Sequence, residues 1–554
     1  MRSDFTTALL YSAGAAAMVA SFVGFPGDNV PGARGSHVWD LLWSVDHWAA
    51  ALADGRNPWT TAALNYPEGG RVWIRDPLGA TLVAPVVWAF GPSVGVSVLI
   101  GVQLAFSGWV THRFAAEFLA WRRGSGSGGW GPLVAGVAML TAPVLVAHIH
   151  NGATEALSVG WLVLSIWMGW RAASDPSPRR LAVAAFALAG AFVASVYAGL
   201  VAGCFLAAIA MMGTGRLDAP WSVGRWAPLL AGSLLCASLA IGVSAVVHAP
   251  DAVDAHPSVG EVQQITRTYG AADPATYIVP GEHRSPDFRK FSPHERSFVH
   301  GHYLGWVLIG LSGWALVRRR RNTGFLVGGG LACGLLSLGP VLVRNARPLI
   351  IGDDRAIPLP YFALESLRGF EDLTMPWWFS IGPAFALAML AAVAVDQRGK
   401  RVALAVIAAV VLEASWVAPS AELRASVDAR PPASLLALAE APPGAVINYP
   451  LKQGRPYLFE QTIHGKPVAG TMKSVGNPHA MQLWRRIRAE SLEDPDSFHR
   501  AVSSTAERLG IRYLVIHTDP DAEPDVYSKA VTELERLFDV PEWGRGHVRV
   551  VPLW

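Results

Sequence analysis

Glu155 and His150 stand beside apolar segments, at the outer junction of two predicted membrane spans. Ionisable side chains this close to hydrocarbon are costly unless they are hydrogen-bonded or wet. Glu155 could act as a general base or orient a cation, and His150 and Asn151 are candidate substrate-binding residues beside it. The alternative is an ordinary helix start, with Asn151 or Thr154 as the cap and Glu155 in the first turn.

A second polar group lies in residues 37–53, which directly follow the first apolar segment and have helical periodicity. His37, Asp40 and His47 fall on one face, whereas Asp46 falls on another, so Asp40 and Asp46 cannot meet one ligand unless the helix breaks. The pattern predicts a helix along the membrane surface with Asp40 on its wet side, or with Asp40 merely solvated. Between the faces, as at a water–lipid boundary, lie Trp39, Trp43 and Trp48.

Basic side chains stand among aromatic residues and histidines in the long polar loop 249–300. Arg284 and Arg289 in this loop suit a pyrophosphate or a phospholipid headgroup, because arginine can bind phosphate through two hydrogen bonds. A solvated loop whose charges roughly cancel is the alternative. Arg368 precedes a span that opens with Pro376, and it could belong to a charged plug over an outer cavity or to an interfacial flank.

Composition restricts the class of protein. The chain of 554 residues is 52% hydrophobic and 16% charged, and its apolar runs repeatedly approach the ~20 residues that cross a bilayer. The net charge of +3 comes from basic residues at the ends of segments, so no nucleic-acid partner is indicated. No metal-ligand spacing is present in the three cysteines, which are Cys204, Cys236 and Cys333. We predict an α-helical polytopic membrane protein.

The positive-inside rule predicts about eleven spans with a cytoplasmic N-terminus, because every dense arginine cluster then faces the cytoplasm. Residues 78–90 are too short for a full crossing and are predicted to be re-entrant, ending at Gly91-Pro92. Residues 181–213 are predicted to form a pair of short crossings, with one long tilted helix as the alternative. The other predicted spans are residues 5–25, 93–121, 131–147, 155–170, 226–247, 302–317, 323–343, 376–395 and 402–418.

The chain is predicted to divide into a membrane part, residues 1–418, with outside loops 26–77 and 249–300, and a tail, residues 419–554. The tail alternates strand-like and helix-like pieces, which predicts a small extracytoplasmic α/β domain of a size that can fold by itself. Its predicted strands are residues 445–451, residues 512–518 and the closing HVRVVPLW, and its predicted helices lie near 477–490, 498–509 and 524–538.

Several catalytic motifs are absent from the sequence. It contains no Walker A loop, no G-x-S-x-G and no H-E-x-x-H, which argues against ATP hydrolysis and against these common hydrolase classes. The predicted spans also hold almost no acid or lysine near their centres. An ion-coupled transporter usually needs such groups or broken helices in corresponding halves, so this class is disfavoured.

The order of short motifs along the chain resembles the polytopic bacterial membrane proteins of the GT-C glycosyltransferase superfamily, including its YfhO-like group. One span is followed by a loop that carries an acid, an amphipathic helix and two characteristic motifs, which read Gly55-Arg56-Asn57-Pro58-Trp59 and Tyr66-Pro67-Glu68-Gly69. Further matching motifs are Gly91-Pro92, Tyr303-Leu304-Gly305, Pro443-Gly444-Ala445-Val446, Pro450-Leu451 and the tract from Gln461 to Pro467.

The resemblance implies transfer of a sugar from a polyprenyl-phosphate donor to a glycan, lipid or protein acceptor, on the outer face of a bacterial plasma membrane. It makes Asp40 the first choice and Asp46 the second choice for the catalytic base. His37 and His47 become candidate substrate-binding residues, and a divalent cation becomes a candidate cofactor. Two other classes stay open: a non-catalytic membrane scaffold that presents the tail to a partner, and a lipid or solute transporter.

Overall fold

The computed structural model is mostly helical and describes most of the chain in separate stretches. Three sequence-based site candidates, Arg284, Arg289 and Arg368, lie outside the described residues, as does the predicted span 226–247. The described residues are 2–212 except 26, 35, 73, 75 and 125–128; 270–280; 301–365 except 320, 321, 345, 346 and 352–354; 373–416; 424–449; 454–470; 481–483; 495–517; 536, 538, 541–544 and 548–554.

Apolar helices make up nearly all of the first 212 residues. Ser177 begins one of them, because its side chain accepts a hydrogen bond from the Arg180 amide and Pro178 takes the first helical position. In chain order they are α1 (Arg2–Val23), α2 (Val38–Ala53), α3 (Pro77–Arg123), α4 (Gly131–Leu140), α5 (Pro143–His150), α6 (Val159–Ser174), α7 (Pro178–Ala194) and α8 (Val196–Met212).

Two breaks in these helices fall where the sequence predicted them. Helix α3 would be about 70 Å long if it were straight, and it breaks at Gly91, whose φ is 83° and ψ is 171°. This break separates the segment predicted to be re-entrant from the predicted second span. Ser195 has extended backbone between α7 and α8, so residues 181–213 form two helices that pack together and not one long helix.

Helix α12 (Ile381–Val395) belongs to the second half of the helical part and is buried along its whole length. Its small side chains allow close approach of neighbouring backbones: a Cβ on Gly131 would lie 2.5 Å from the Ala392 carbonyl oxygen. An ion pair of Arg123 with Asp396, 2.7 Å long, joins α3 to the end of α12. The helices of this half are α9 (Trp306–Arg319), α10 (Gly324–Ser337), α11 (Pro360–Leu364), α12 (Ile381–Val395) and α13 (Lys400–Trp416).

Five helical segments of the described chain are long and apolar enough to cross a membrane, and three shorter apolar helices accompany them. A multi-pass membrane protein follows from these segments, whereas the number eleven and the orientation of the termini stay predictions. The five segments are Asp4–Val23, Pro77–Arg123, Gly131–His150, Thr154–Ser174 and Pro376–Val395.

Short strands connect the helices and join distant parts of the chain. They are β1 (Asn29–Pro31), β2 (Thr60–Thr61), β3 (Gly70–Arg71), β4 (Val343–Arg344), β5 (Arg347–Pro348), β6 (Ile350–Ile351), β7 (Arg355–Ala356) and β8 (Ser426–Asp428). Six of them form local antiparallel pairs, β2 with β3, β4 with β5 and β6 with β7, whereas β1 pairs with the distant β8.

The tail has the alternating strands and helices that its pattern predicted. Its sheet has three strands, β9 (Ala445–Tyr449), β10 (Ile511–His517) and β11 (Val548–Pro552), in the order β11-β10-β9. Strand β10 is parallel to β9 and antiparallel to β11. The predicted helices near 477–490 and 524–538 lie largely outside the described residues. The tail elements are α14 (Ala433–Glu440), β9 (Ala445–Tyr449), α15 (Gly454–His464), α16 (Pro495–Leu509), β10 (Ile511–His517) and β11 (Val548–Pro552).

Backbone hydrogen bonds join the tail to the loop between α1 and α3 at two places. Strand β1 pairs with β8 just before α2 begins. After α2, the Asn65 amide donates to the Gly470 carbonyl, and the Val468 amide donates to the Ala63 carbonyl. The tail therefore contacts the chain both just before and just after α2. The domain boundary near residue 419 stays a prediction.

Candidate functional site

Two polar stretches that are far apart in sequence meet at the start of α2. The Ala33 amide donates to the His150 carbonyl at 2.8 Å, and the His37 amide donates to the Asn151 carbonyl at 3.0 Å. His150 is 5% exposed and Asn151 is fully buried. In this arrangement the backbone of these two candidate residues fixes where α2 begins, and their side chains do not line the pocket described below.

Helix α2 is buried between the apolar helices and the tail, so the prediction that Asp40 lies on a wet, surface-exposed side is wrong. Asp40 is only 7% exposed. The tryptophans do not sit at an open boundary either, since Trp39 is 8% exposed and Trp43 is fully buried. The physical reason is that tail helix α15 packs on α2 at Trp39 and Trp43, between its polar and apolar faces.

A hydrogen bond and an aromatic contact hold α15 against α2. The Trp43 indole N–H donates to Gln461 Oε1 at 2.9 Å, and the rings of Trp39 and Phe459 lie 5.6 Å apart. Both contacts join α2 to α15. A buried indole N–H needs a partner, so Gln461 is the residue of the tail that most directly holds α2.

We expect Gln461→Met to loosen α2 without unfolding the protein. The substitution keeps the side-chain length but leaves the buried Trp43 N–H without its acceptor, at a cost of about 1–3 kcal/mol. Hydrogen exchange of the amides in α2, followed by mass spectrometry, should become faster. Thr462→Val is the matched control, because the Thr462 hydroxyl bonds within α15, to the Phe459 carbonyl. Unchanged exchange in α2 would contradict the role of Gln461.

His37 and Asp40 form a pair at the first turn of α2. His37 Nδ1 lies 3.0 Å from Asp40 Oδ2, and the side chains are 14% and 10% exposed. The three-residue spacing places both on one side of the helix start, as helical geometry requires. A histidine held by a carboxylate has a fixed ring orientation, so this pair is pre-organised to accept or donate a proton.

A pocket opens beside this pair and receives residues from three parts of the chain. Its cavity volume is about 10 Å³, within about 290 Å³ of atom-free space that includes open solvent at its mouth. His37 lines it from the start of α2, Asp76 from the start of α3, and Glu155 from the segment between α5 and α6. The remaining lining residues are Leu41, Ser44, Val45, Ile74, Ala80 and Gly152. The sequence-based candidates His37 and Glu155 thus meet at one cavity.

Glu155 lies in a short 3-10 helix, Thr154–Leu157, and is 8% exposed. The cap predicted at Asn151 or Thr154 is not present, since this 3-10 helix follows Ala153 and has no side-chain cap among the described residues. Glu155 does lie in the first turn, as the alternative interpretation predicted. Its carboxylate lies close enough to Asp76 for each charge to affect the other. Two carboxyl groups therefore share one wall of the pocket.

Asp76 is the site residue that the sequence reasoning missed. It is 4% exposed, and its side chain accepts hydrogen bonds from the Gly79 amide at 2.8 Å and from Gln103 Nε2 at 2.5 Å. Burial raises the pKa of Asp76 to about 7, and the negative charge of Glu155 also raises it. The two hydrogen bonds act in the opposite direction and lower the pKa. The available signal was an aspartate directly before Pro77, a pattern that predicts a helix cap but not a buried one.

We expect Asp76→Asn to change how stability depends on pH. Because the pKa of Asp76 in the folded protein is about 7 and near 3.9 in an unfolded chain, its stabilising contribution is complete below about pH 4 and is lost as the pH rises through 7. This one group lowers the free energy of unfolding by about 1.4 kcal/mol per pH unit in that window. Denaturation in SDS should therefore show the variant gaining stability relative to the wild type between about pH 4 and 7. A constant difference would contradict the assignment.

Asp46 and His47 do not line the pocket. Burial raises the pKa of Asp46 to about 6. His47 stacks on the Trp43 ring with centroids 4.6 Å apart, and its Nε2 lies 3.1 Å from the Pro58 carbonyl oxygen. Burial lowers the pKa of His47. The structure brings His37 to the cavity, whereas Asp46 does not line it and His47 packs on Trp43.

The described side chains do not form a metal site by themselves. Within the described ranges, no group of three histidine, cysteine, aspartate or glutamate side chains is arranged to hold a metal ion. His37 with Asp40, and Asp76 with Glu155, are pairs and not such a group. The divalent cation expected from the resemblance stays a prediction, and no chemical step below depends on it.

Comparison with known proteins gives similarity at the level of solved structures. No family model matches the chain, and no curated protein matches it. The chain is similar to the oligosaccharyltransferase AglB from Archaeoglobus fulgidus, solved with an inhibitory peptide and a dolichol-phosphate. That match has 12% identity and a TM-score of 0.42, and it covers 93% of this chain and 69% of that one. The apo form of the Archaeoglobus fulgidus enzyme matches with 11% identity and a TM-score of 0.48, covering 92% and 69%.

A mycobacterial enzyme is also similar. The arabinofuranosyltransferase AftD from Mycobacteria matches with 16% identity and a TM-score of 0.47, covering 94% of this chain and 37% of that one. These proteins are glycosyltransferases by name, the class that the sequence resembles. All of these TM-scores are below 0.5, so the proposed function rests on the residues of the site and not on this similarity.

Proposed function

We propose that this protein is a membrane glycosyltransferase that moves a sugar from a polyprenyl-phosphate donor to an acceptor hydroxyl. The observation that carries the proposal is the meeting of the His37–Asp40 pair with Asp76 and Glu155 around one pocket. Acid–base groups that converge on a cavity are typical of a catalytic site. The pocket lies where several apolar helices begin or end, a suitable place for a donor whose lipid part stays in the membrane.

The chemistry needs a base, a place for the sugar and a way to accept the leaving phosphate. The His37–Asp40 pair supplies the base that takes the acceptor proton. Asp76 and Glu155, which bring negative charge or hydrogen-bonding oxygens to the same cavity, suit the hydroxyl groups of a sugar. Basic residues of the loop 249–300, Arg284 and Arg289, are proposed to stabilise the phosphate.

The apolar wall of the pocket supports the same division of roles. Leu41, Val45 and Ile74 also line the cavity. Such a wall excludes water from the reacting carbon, which favours transfer to the acceptor over hydrolysis. The acceptor is proposed to be a glycan, a lipid or a protein.

Mass spectrometry of membrane lipids and surface glycans tests the proposal. Cells that express the protein should contain a glycan, or a lipid-linked sugar, whose amount depends on the protein. The control strain carries the same protein with Asp76 and Glu155 both replaced, Asp76→Asn with Glu155→Gln, which removes the acids but keeps their shape. An identical lipid and glycan profile with and without the protein, in cells that supply polyprenyl-phosphate sugars, would overturn the proposal and favour a scaffold.

A further inference from the structure

The His37–Asp40 pair presents only one of its members to the pocket. His37 is a lining residue, whereas Asp40 contacts the ring through Nδ1 at 3.0 Å. A neutral imidazole carries hydrogen on one nitrogen only. When Nδ1 donates that hydrogen to the Asp40 carboxylate, the lone pair resides on Nε2, so the ring is in the tautomer that a base needs.

We infer that His37 is the catalytic base of the transfer and that Asp40 is a positioning residue that orients its ring. This inference rests on the proposed function and gives the proton-accepting role to a residue predicted only to bind substrate. The resemblance would have placed that role on the carboxylate itself. In the structure the imidazole, and not the carboxylate that contacts it, lines the cavity.

The step balances in atoms and electrons. The acceptor oxygen forms a bond to the anomeric carbon of the sugar, and the bond from that carbon to the phosphate oxygen breaks. The electron pair of the broken bond leaves on the polyprenyl phosphate, and the acceptor proton moves to His37 Nε2. Asp40 then faces an imidazolium and stabilises its charge, before the proton passes to solvent.

The fold fixes the ring where this role requires it. The His37 amide is bonded to the Asn151 carbonyl, and the next residue, Val38, begins α2. The backbone of His37 is therefore held from two sides, by α5 and by α2. A base held on a rigid element keeps its distance to the reacting hydroxyl, which is worth more to catalysis than the strength of the base alone.

Chemical rescue tests the assignment. In membranes that contain the full chain, we expect His37→Ala to lower sugar transfer at least ~100-fold. Added imidazole should restore at least ~10-fold of that loss, since the vacated pocket can hold a free ring near the hydroxyl. Asp40→Ala should also lower transfer but should not respond to imidazole. His499→Ala is the control, because its ring stacks on Phe538 in the tail, 4.5 Å between centroids.

Several results would overturn the inference. Full transfer by His37→Ala would remove His37 from the chemistry, and loss without rescue in a variant that keeps the wild-type unfolding temperature would leave it a structural residue. His37→Gln, which preserves size, takes the place of the alanine variant if that one does not fold, and its unchanged activity has the same meaning. Absence of transfer by the wild type overturns the proposed function together with this inference, whereas an active wild type with an indifferent His37 overturns the inference alone.

Discussion

Asp40→Asn is expected to lower sugar transfer by about 10²- to 10⁴-fold. The amide keeps the shape of the carboxylate but not its charge, so it no longer stabilises an imidazolium on His37. It can also present its NH₂ group to Nδ1, which would turn the ring into the wrong tautomer. The unfolding temperature should change little, because side-chain volume at this buried position is conserved. Transfer is measured as the rate of appearance of the glycosylated product in membranes.

Asp54→Asn provides the matched comparison. Asp54 ends the same helix, is about half exposed and pairs with Arg56 at 2.7 Å, well away from the cavity. Exposed pairs of this kind contribute little to stability, so this variant should transfer sugar at a rate within about twofold of the wild type.

Asp46→Asn belongs in the same series, since it separates the first and second sequence-based choices for the base. An Asp40→Asn protein that retains full transfer would exclude the pair from the reaction.

Gly152→Ala is expected to abolish transfer and to destabilise the fold by several kcal/mol. Gly152 has φ of +66°, where a residue with a side chain is strained by roughly 1–2 kcal/mol. Its Cβ would lie 2.3 Å from the Val38 amide nitrogen and 2.7 Å from the His37 carbonyl carbon. These are backbone atoms that no rotamer change can move, so the start of α2 has to shift away from α5, taking the His37 ring with it.

Gly55→Ala separates the two causes. Gly55 has nearly the same backbone angle, φ of +64°, but a Cβ there meets nothing within 4 Å. Both variants therefore carry the backbone strain, and only Gly152→Ala carries the collision. Thermal unfolding in detergent and the transfer rate should both fall far more in Gly152→Ala than in Gly55→Ala. Equal effects of the two variants would mean that close packing at α2 does not control the site.

Local patterns predicted the elements of the fold with some accuracy. The stretch 37–53 was predicted from periodicity and is helix α2, and the strands of the tail were predicted from their alternation. Gly91-Pro92 marked the break in α3, because glycine and proline leave few helical alternatives. These features depend on residues that are close in sequence, which is why a single sequence contains them.

The site itself depends on contacts that no local pattern contains. Periodicity placed Asp40 opposite the apolar face, yet it could not reveal that Phe459 and Gln461 of the tail contact α2 at the neighbouring Trp39 and Trp43. Asp76 reads as a simple cap, and its perturbed chemistry comes from burial beside Gln103 and Glu155. The burial of Asp40 and of Asp76 depends on packing between segments that are far apart in the sequence. The sequence therefore predicted candidate residues but not their surroundings.

The pairing of β1 with β8 also sets an order in time. Residues 29–31 leave the ribosome early, but their partner strand, residues 426–428, is synthesised about 400 residues later. Helix α2 follows β1 directly and receives its cover from α15, which comes later still. A nascent chain therefore holds every residue that lines the pocket, from His37 to Glu155, before the tail that packs on α2 is made. A chain that ended before residue 426 would contain these lining residues without the β1–β8 pairing and the Trp43–Gln461 hydrogen bond that position α2.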